Sequence, residues 1–148
     1  MNLQETYVLE DCTLYDTSSY SSETAIGLNL PNEFVITWQS NRKSSTNSLC
    51  CINIGVDENN KFQAGTYGST GNNGLQERIN GTWQTAQTTS NSSMNTLQDN
   101  TLTYSNGSLS YTKGSQTVSK TPTVSLTKFI KYDVRTNGIV QNIKCKSL

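Results

Sequence analysis

The chain has 148 residues, with 11 basic and 11 acidic side chains, no histidine and hydrophobic residues at only 32% of positions. This length corresponds to about one domain, and we interpret residues 1–148 as a single domain. The zero net charge and the lack of a basic patch argue against nucleic-acid binding, which needs clustered Lys and Arg. No apolar run is long enough to span a membrane, and the first residues do not have the pattern of a secretory signal.

The composition favours a β-sheet protein. Asn, Ser and Thr fill much of the chain, and charged residues make up only 15%, whereas disordered chains usually combine low hydrophobicity with high net charge. A sparse, alternating apolar pattern is sufficient when each strand buries only one face. We therefore predict an all-β fold, a two-sheet antiparallel β-sandwich.

The first clear strands lie in the first half of the chain. The segment "LNLPNEFVITWQS" places Phe34, Ile36 and Trp38 on one face, so we expect Trp38 in the core. The segment "NSLCCINIGV" gives a second strand with the even-numbered residues 50–54 on one face.

A turn is predicted from Asp57 to Asn60, followed by a strand, "KFQAGTY". Oxygen atoms of Asp57, Asn59 and Asn60 have the chemistry of calcium ligands, but the same residues make turns without any metal, and we predict no metal site. Gly65 is expected to mark a β-bulge, and "GSTGNNG", residues 68–74, a loop.

Two Asn-Gly pairs predict tight hairpins, one at Asn80-Gly81 and one at Asn106-Gly107. Asn and Gly both tolerate positive φ, which a type I′ turn requires at its two central positions. The second hairpin would bury one face and leave hydroxyl side chains on the other. The side chains on its buried face would be Leu102, Tyr104, Leu109 and Tyr111.

The stretch between the hairpins, residues 87–100, is the most linker-like part of the chain. It is either a long loop or the carrier of one weak strand near Met94 to Leu97. The segments "TVSKTPTVSLTKFIKYDV" and "GIVQNIKCKSL" complete the β pattern. Short strands separated by turns at this spacing are typical of a sandwich or a barrel.

The four cysteines fit no zinc-binding spacing. We interpret Cys12, Cys50, Cys51 and Cys145 as free thiols that act as small strand residues. Cys50 and Cys51 are adjacent, so they would point to opposite faces of a strand and are poor partners for each other.

Several segments together resemble a known family. They are "LEDCTLYD", "LPNEFVITWQS", "INIGVDENNKFQAGTYGSTG", "LTYSNGSLSYT" and the closing "SLTKFIKYDVRTNGIVQNIKCKSL". The pattern, over residues 7–148, resembles the concanavalin A-like (laminin G-like) jelly-roll domains of bacteriophage and prophage structural and receptor-binding proteins. It departs from them at Cys145 and Ser147, and around residues 86–100, where an aromatic-rich strand is often found. In such jelly rolls the first and last strands usually lie side by side, which implies that Cys12 lies near Cys145 and leaves a disulfide as the alternative to free thiols.

Catalysis is not expected. Glycoside hydrolysis needs two carboxylates about 5–10 Å apart across the sugar, and enzymes on this fold often carry alternating acids on one strand. Glu10 and Asp11 are adjacent and would diverge, and Glu77 stands alone beside Arg78. We predict a protein that is not an enzyme, with no catalytic residues and no cofactor.

Sugar binding is the chemistry that the residues favour. An aromatic side chain can stack on the apolar face of a sugar while amides and Arg read its hydroxyl groups. The predicted ligand-binding residues, clustered around one loop and one hairpin, are Tyr67, Asn72, Asn73, Arg78 and Trp83. For both aromatics a structural role is the alternative, and Trp83 is expected to lie at best diagonal to Arg78.

We therefore predict a non-enzymatic, lectin-like carbohydrate-binding module. Following the resemblance, it would be displayed on the surface of a virion, beside other virion proteins, and contribute to attachment to cell-surface or mucosal glycans. Binding would be weak at each site and strengthened by many copies. The alternative is a structural, decoration or oligomerisation module of a capsid or tail that binds no sugar.

Overall fold

The structure is a computed structural model that describes residues 6–10, 20–43, 49–67, 72–89, 94–135 and 138–148. These residues form two antiparallel sheets and contain no helix, hence none that could cross a membrane. The six-stranded sheet has the order β1 (Thr6–Glu10), β13 (Ile139–Ser147), β3 (Phe34–Asn41), β9 (Gln98–Ser105), β10 (Ser108–Lys113), β11 (Gln116–Lys120). The seven-stranded sheet has the order β2 (Tyr20–Asn29), β12 (Lys128–Arg135), β4 (Leu49–Asp57), β5 (Asn60–Tyr67), β6 (Asn72–Ile79), β7 (Thr82–Trp83), and β8 (Gln87–Thr89) also pairs with β6. The predicted all-β, two-sheet antiparallel fold is confirmed.

The hydrophobic core lies between the sheets and is built by alternation along each strand. Phe34, Ile36 and Trp38 are at most 1% exposed, as predicted, and Trp38 stacks on Tyr111 with ring centroids 5.8 Å apart. Phe62 of the facing sheet is fully buried in the same cluster. Full burial of such a side chain contributes about 1.5–3 kcal/mol, so alternate positions in two facing sheets suffice for a core.

Both predicted hairpins form. Asn106 and Gly107 have φ values of 52° and 75°, and the turn pairs β9 with β10 in the predicted register. A Cβ atom placed on Gly107 would meet nothing within 4 Å, so glycine is favoured there by its backbone conformation alone. Asn80 and Gly81 have φ values of 48° and 82° and connect β6 to β7.

The prediction of a bulge at Gly65 is wrong. Its neighbours pair in regular register with both flanking strands, and the register shift lies instead between Gly55 and Asp57. Gly65 has a φ of 124°, and a Cβ atom there would lie 2.5 Å from the backbone oxygen of Cys50. Glycine is therefore required at this position by backbone conformation and by the close approach of β4.

Two other segments also differ from expectation. Residues 72–74, predicted to be part of a loop, are the first residues of β6. Residues Met94 to Leu97 form no strand, and pairing occurs on either side of them, in β8 and β9. Residues 68–71 and 90–93 lie outside the described residues. Asn and Gly have low intrinsic strand propensity, but pairing with β5 decides the conformation of residues 72–74.

The first and last strands, β1 and β13, pair as the resemblance implied. Cys145 is nevertheless a free, buried thiol, and burial raises its pKa to about 11. Its suggested disulfide partner, Cys12, lies outside the described residues. Cys50 and Cys51 are likewise buried thiols that are not in a disulfide, so the interpretation as thiols is confirmed for these three cysteines.

The space between the sheets also contains a buried cation. Lys113 is 1% exposed, and its Nζ donates to Asn73 Oδ1 at 2.8 Å and to Thr66 Oγ1 at 3.4 Å. Within the described part of the chain no carboxylate pairs with it. Burial lowers the pKa of Lys113 to about 8; the proximity of Cys50 raises it and that of Arg42 lowers it further.

Candidate functional site

A row of long side chains crosses the outer face of the seven-stranded sheet. Strand pairing places Lys61 of β5 opposite Arg78 of β6, and Arg78 opposite Trp83 of β7. Trp83 is 38% exposed, and its ring centroid lies 5.7 Å from Lys61 Nζ and 5.4 Å from Arg78 Cζ. Both distances lie within the range of about 6 Å at which a cation is attracted to an aromatic ring. The two cations therefore hold the indole in place while part of it stays open to solvent.

A carboxylate at the turn between β4 and β5 connects this row to β12. Glu58 Oε2 lies 2.8 Å from Lys61 Nζ and 3.2 Å from Lys131 Nζ. Burial would raise the pKa of Glu58, but its hydrogen bonds and the charges of Lys61 and Lys131 lower it overall. Glu58 is therefore held as an anion, and its side chain remains 51% exposed.

The network continues to a completely buried acid on β12. Asp133 Oδ2 accepts a hydrogen bond of 2.7 Å from Asn53 Nδ2, and Asp133 Oδ1 lies 3.7 Å from Lys131 Nζ. Its side chain is 0% exposed. Because buried polar groups are costly unless they are paired, these contacts fix the long side chains on this face instead of leaving them free to move.

Arg78 has donors that the described residues do not use. Its Nη1 donates to the backbone oxygen of Glu58 at 3.0 Å, and its Nε is buried without a partner. No described carboxylate pairs with it. A guanidinium carries five N–H donors in a fixed fork. The buried Nε cannot reach a ligand, but the single bond from Nη1 leaves other donors of the two Nη atoms unused by the described residues. An aromatic surface, a cationic fork and an exposed carboxylate thus lie within one patch.

The structure brings two of the five predicted ligand-binding residues together. Arg78 and Trp83 are direct cross-strand partners, closer than the diagonal arrangement expected from the sequence. The sequence feature that could have predicted this pairing is the two-residue turn at Asn80-Gly81. Such a turn fixes residue 79 opposite residue 82, and therefore residue 78 opposite residue 83.

The other three predicted residues lie elsewhere. Tyr67 is 4% exposed and its hydroxyl donates to the backbone oxygen of Leu75 at 3.5 Å. Burial, with a smaller effect from Cys51, raises the pKa of Tyr67 to about 12. Asn73 is 3% exposed and faces the inter-sheet space. Asn72 lies opposite Tyr67 in the pairing of β5 with β6.

Sequence reasoning missed Lys61, Glu58 and Lys131. Lys61 lies in a strand that was predicted correctly, but its position opposite Arg78 follows only from the register of β6, whose first residues were assigned to a loop. Lys131 is 73 residues from Glu58 by their numbers, and no local pattern connects them.

The oxygen-rich turn that had the chemistry of a calcium site has another explanation. Asp57 Oδ1 accepts hydrogen bonds from the backbone N of Asn59 at 2.8 Å and from Asn60 Nδ2 at 3.2 Å, as in an Asx turn. Within the described residues there is no group of three or more His, Cys, Asp or Glu side chains suited to a metal ion.

The carboxylates of this face do not suit hydrolysis. A glycosidase places two carboxyl groups on either side of the bond that it cleaves. Asp133 is 0% exposed and held by Asn53 and Lys131, so of this pair of acids only Glu58 reaches solvent. This pair therefore does not present two solvent-accessible carboxyl groups to a substrate.

Comparison with known proteins identifies the fold. No family model matches the sequence, and no curated protein matches it either. Among solved structures, the chain is similar to the homodimeric agglutinin CG-16 from chicken liver, with a TM-score of 0.64, 11% identity, and coverage of 86% of this chain and 99% of that one. It is also similar to chicken galectin 2, with a TM-score of 0.62 and 8% identity. That match covers 84% of this chain and 96% of the galectin chain. A third similar structure is a toad ovary galectin in complex with thio-digalactose. Its TM-score is 0.59 and its identity 14%, and the match covers 87% of this chain and 99% of that one.

The chain therefore has the concanavalin A-like jelly-roll β-sandwich fold, which the galectins share; the jelly roll is the fold that the resemblance of its segments implied. At these identities the likeness concerns the fold alone.

Proposed function

We propose that this protein is a non-enzymatic, lectin-like module that binds glycans on the outer face of its seven-stranded sheet. The observation that carries the proposal is the exposed Trp83, aligned in one cross-strand row with Arg78 and Lys61. The indole would stack on the apolar face of a sugar ring, because aromatic rings supply a large apolar surface of fixed orientation. Arg78 would donate to sugar oxygens, and Glu58 would accept from sugar hydroxyls.

The fold likeness supports the ligand class. The toad ovary galectin holds thio-digalactose, and a fold of this kind therefore has room for a saccharide. The named residues of the present site come from its own geometry, since identity to the galectins is 8–14%.

The five residues predicted from the sequence take different roles in this proposal. Arg78 and Trp83 contact the ligand. Tyr67 and Asn73 support the sheet from buried positions, and Asn72, beside Tyr67 at the other end of β6, stays a predicted ligand contact.

We further propose that the module is displayed on the surface of a virion, beside other virion proteins, and contributes to attachment to host or mucosal glycans. The support for this is the resemblance of its strand and turn segments to phage jelly-roll domains. Many copies on one particle would strengthen weak individual binding.

A glycan array tests the proposal. The purified protein, presented multivalently, should give saturable signals on a subset of glycans that free sugar competes. Trp83→Ala should reduce binding by up to about tenfold, because a well-placed aromatic contact is worth about 0.5–1.5 kcal/mol beyond the area that it buries. Arg78→Lys should bind more weakly than wild type, since it keeps the charge but not the donor fork.

Leu148→Ala is the matched control, because Leu148 is 47% exposed and lies beyond β13 on the other sheet. It should bind as wild type does. If the wild-type protein gives no binding signal on a broad array of glycans, the proposal is overturned in favour of a structural or decoration module. Binding that survives in Trp83→Ala would place the site elsewhere.

A further inference from the structure

The outer face of the six-stranded sheet carries a second polar depression, here named the amide groove. It has a volume of about 480 Å³, within the range of ligand sites. It is lined by residues of β3, β9 and β13: besides the buried Trp38 and Asn100, these are Thr37, Gln39, Asp99, Thr101, Asn142 and Lys144. It lies on the sheet opposite to Trp83, and none of the residues proposed above contributes to it.

Its central amide is fixed from both sides. Gln39 Oε1 accepts from Asn142 Nδ2 at 2.9 Å and from Gln141 Nε2 at 3.1 Å, while Gln39 Nε2 donates to Asp99 Oδ1 at 3.2 Å. These bonds link three neighbouring strands and hold the side chains in defined orientations. A binding site whose polar groups are already oriented loses less entropy when a ligand binds.

The backbone is deformed where it brings Asn142 into the groove. Asn142 has a φ of 53°, and the register of β13 with β3 shifts between Gln141 and Lys144. Asn adopts this left-handed conformation more readily than other non-glycine residues, and bulges occur frequently next to functional sites, where they redirect a side chain. Here the bulge gives Asn142 its hydrogen bond with Gln39.

The groove retains unused donors and acceptors. Among the described residues, Asp99 Oδ2, the Lys144 ammonium and the hydroxyls of Thr37 and Thr101 have no partner. Carboxylate, ammonium and hydroxyl groups at close range complement the hydroxyls of a sugar, each of which both donates and accepts hydrogen bonds.

The groove continues beyond one sugar unit. An adjoining depression of about 410 Å³ shares Asp99 and Thr101 with it and extends to Leu97, Thr112 and Gly114. Leu97 is 44% exposed and supplies an apolar contact at that end. The two depressions are thus neighbours on the outer face of β13, β3, β9 and β10.

We infer that the amide groove is a second ligand site, and that it binds a neutral oligosaccharide lying across the six-stranded sheet. A single copy of the chain would then bind glycans on both sheets and connect two glycan chains. This inference does not depend on the site at Trp83.

The test is an NMR titration of ¹⁵N-labelled protein with neutral hexasaccharides of glucose, galactose, mannose and N-acetylglucosamine. At least one should cause saturable shifts of the backbone amides of Gln39, Thr101 and Asn142, in wild type and in Trp83→Ala alike. Asp99→Ala and Thr101→Val should each weaken this binding, Asp99→Ala by about tenfold, since hydrogen bonds to charged groups are the stronger ones. The spectrum of each variant without ligand shows whether the variant is folded. Asp99→Asn is a second variant at this position, which removes the charge but keeps the shape of the Asp side chain.

Two matched control residues lie on the same face as the amide groove, on two of the strands that line it. Thr103→Val alters the next outward residue of β9, and Lys146→Ala the next outward lysine of β13; both should bind as wild type does. The inference is overturned if no hexasaccharide shifts the groove amides at up to tens of millimolar, or if the shifts persist equally in Asp99→Ala and Thr101→Val. Shifts around Trp83 alone would support the proposed function and exclude this second site.

Discussion

Asp133 and Lys113 are both buried charged residues, and the protein accommodates them in opposite ways. Asp133, on the outer face of the seven-stranded sheet, has Asn53 and Lys131 as partners. Lys113, between the sheets, contacts only the neutral Asn73 and Thr66 within the described residues. Burial lowers the pKa of Lys113, so part of its burial cost can be avoided by loss of the proton.

The difference separates a buried charge that orders side chains at the surface, Asp133, from one that affects only the stability of the fold, Lys113. The paired charges around Asp133 order the long side chains next to Trp83, so they contribute to the candidate site. Lys113 contributes hydrogen bonds but, among the described residues, no ion pair, so it adds a dependence of stability on pH. The substitutions below test this contrast.

The largest effect is expected for Asp133→Ala. It removes the acceptor of Asn53 Nδ2 and one partner of Lys131, and breaking a buried charged pair typically costs about 3–5 kcal/mol. Urea unfolding at pH 7 measures the loss. Asp133→Asn keeps the shape and one acceptor, so its loss should be smaller, and an Ala variant as stable as wild type would contradict the role of the network.

The next largest effect is expected in the pH dependence of stability that Lys113 causes. Its pKa falls from an ordinary value of 10.5 to about 8 in the folded protein. Between these values the unfolded chain binds more protons, so stability should rise with pH across this interval. The total rise should be about 3 kcal/mol at most.

Lys113→Met isolates this contribution from the thiols and tyrosines that also titrate at high pH. The stability of wild type minus that of the variant, from urea unfolding at pH 7.5 to 10.5 in steps, should increase as the pH rises. A flat difference would show that Lys113 has an ordinary pKa in the folded state.

A smaller effect is expected for Glu58→Gln. The lowered pKa of Glu58 means that its carboxylate stabilises the fold at pH values above its ordinary pKa of 4.5, and that this contribution is lost as pH falls through the folded value. Because the side chain is 51% exposed, the difference from wild type should be at most about 1 kcal/mol at pH 6. It should shrink towards about pH 3, and a difference that grows on acidification would contradict the assigned sign.

The smallest effect is expected for Ser110→Ala. Ser110 and Ser119 share a hydrogen bond of 2.8 Å on the exposed face of β10 and β11. Exposed neutral substitutions usually change stability by about 0.5 kcal/mol or less. Thermal unfolding provides the measurement, and a loss comparable to that of Asp133→Ala would remove the distinction between buried charged and exposed neutral contacts.

Local rules were sufficient for much of the fold. Phe34, Ile36 and Trp38 alternate in a short segment, and their burial follows from the period of a strand. Asn106-Gly107 specifies both a turn and its register, since few residues adopt positive φ at two adjacent positions. Such features depend on neighbours only a few residues away.

The candidate site depended on contacts between distant segments. Asn73 and its neighbours have low strand propensity, and β6 exists because β5 pairs with it. Trp83 and Arg78 were found from their residue types, whereas Lys131 joins Glu58 only through the order of strands in the sheet. The bulge at Asn142 likewise has no signal in "GIVQNIKC", because Asn is compatible with a loop, a turn or a strand edge.

The pairing of β1 with β13 brings Thr6 opposite Lys146, and this has a consequence for folding. The contact encloses the residues between Thr6 and Lys146, and loop-closure entropy grows with the length enclosed, so this strand pair should be among the last to form. A circular permutant that joins these two ends by a short linker and opens the chain at Asn106-Gly107 would convert that contact into a local hairpin. We expect the permutant to retain the same two sheets but to refold in a different order. The pairing of β1 with β13 would then form early instead of late.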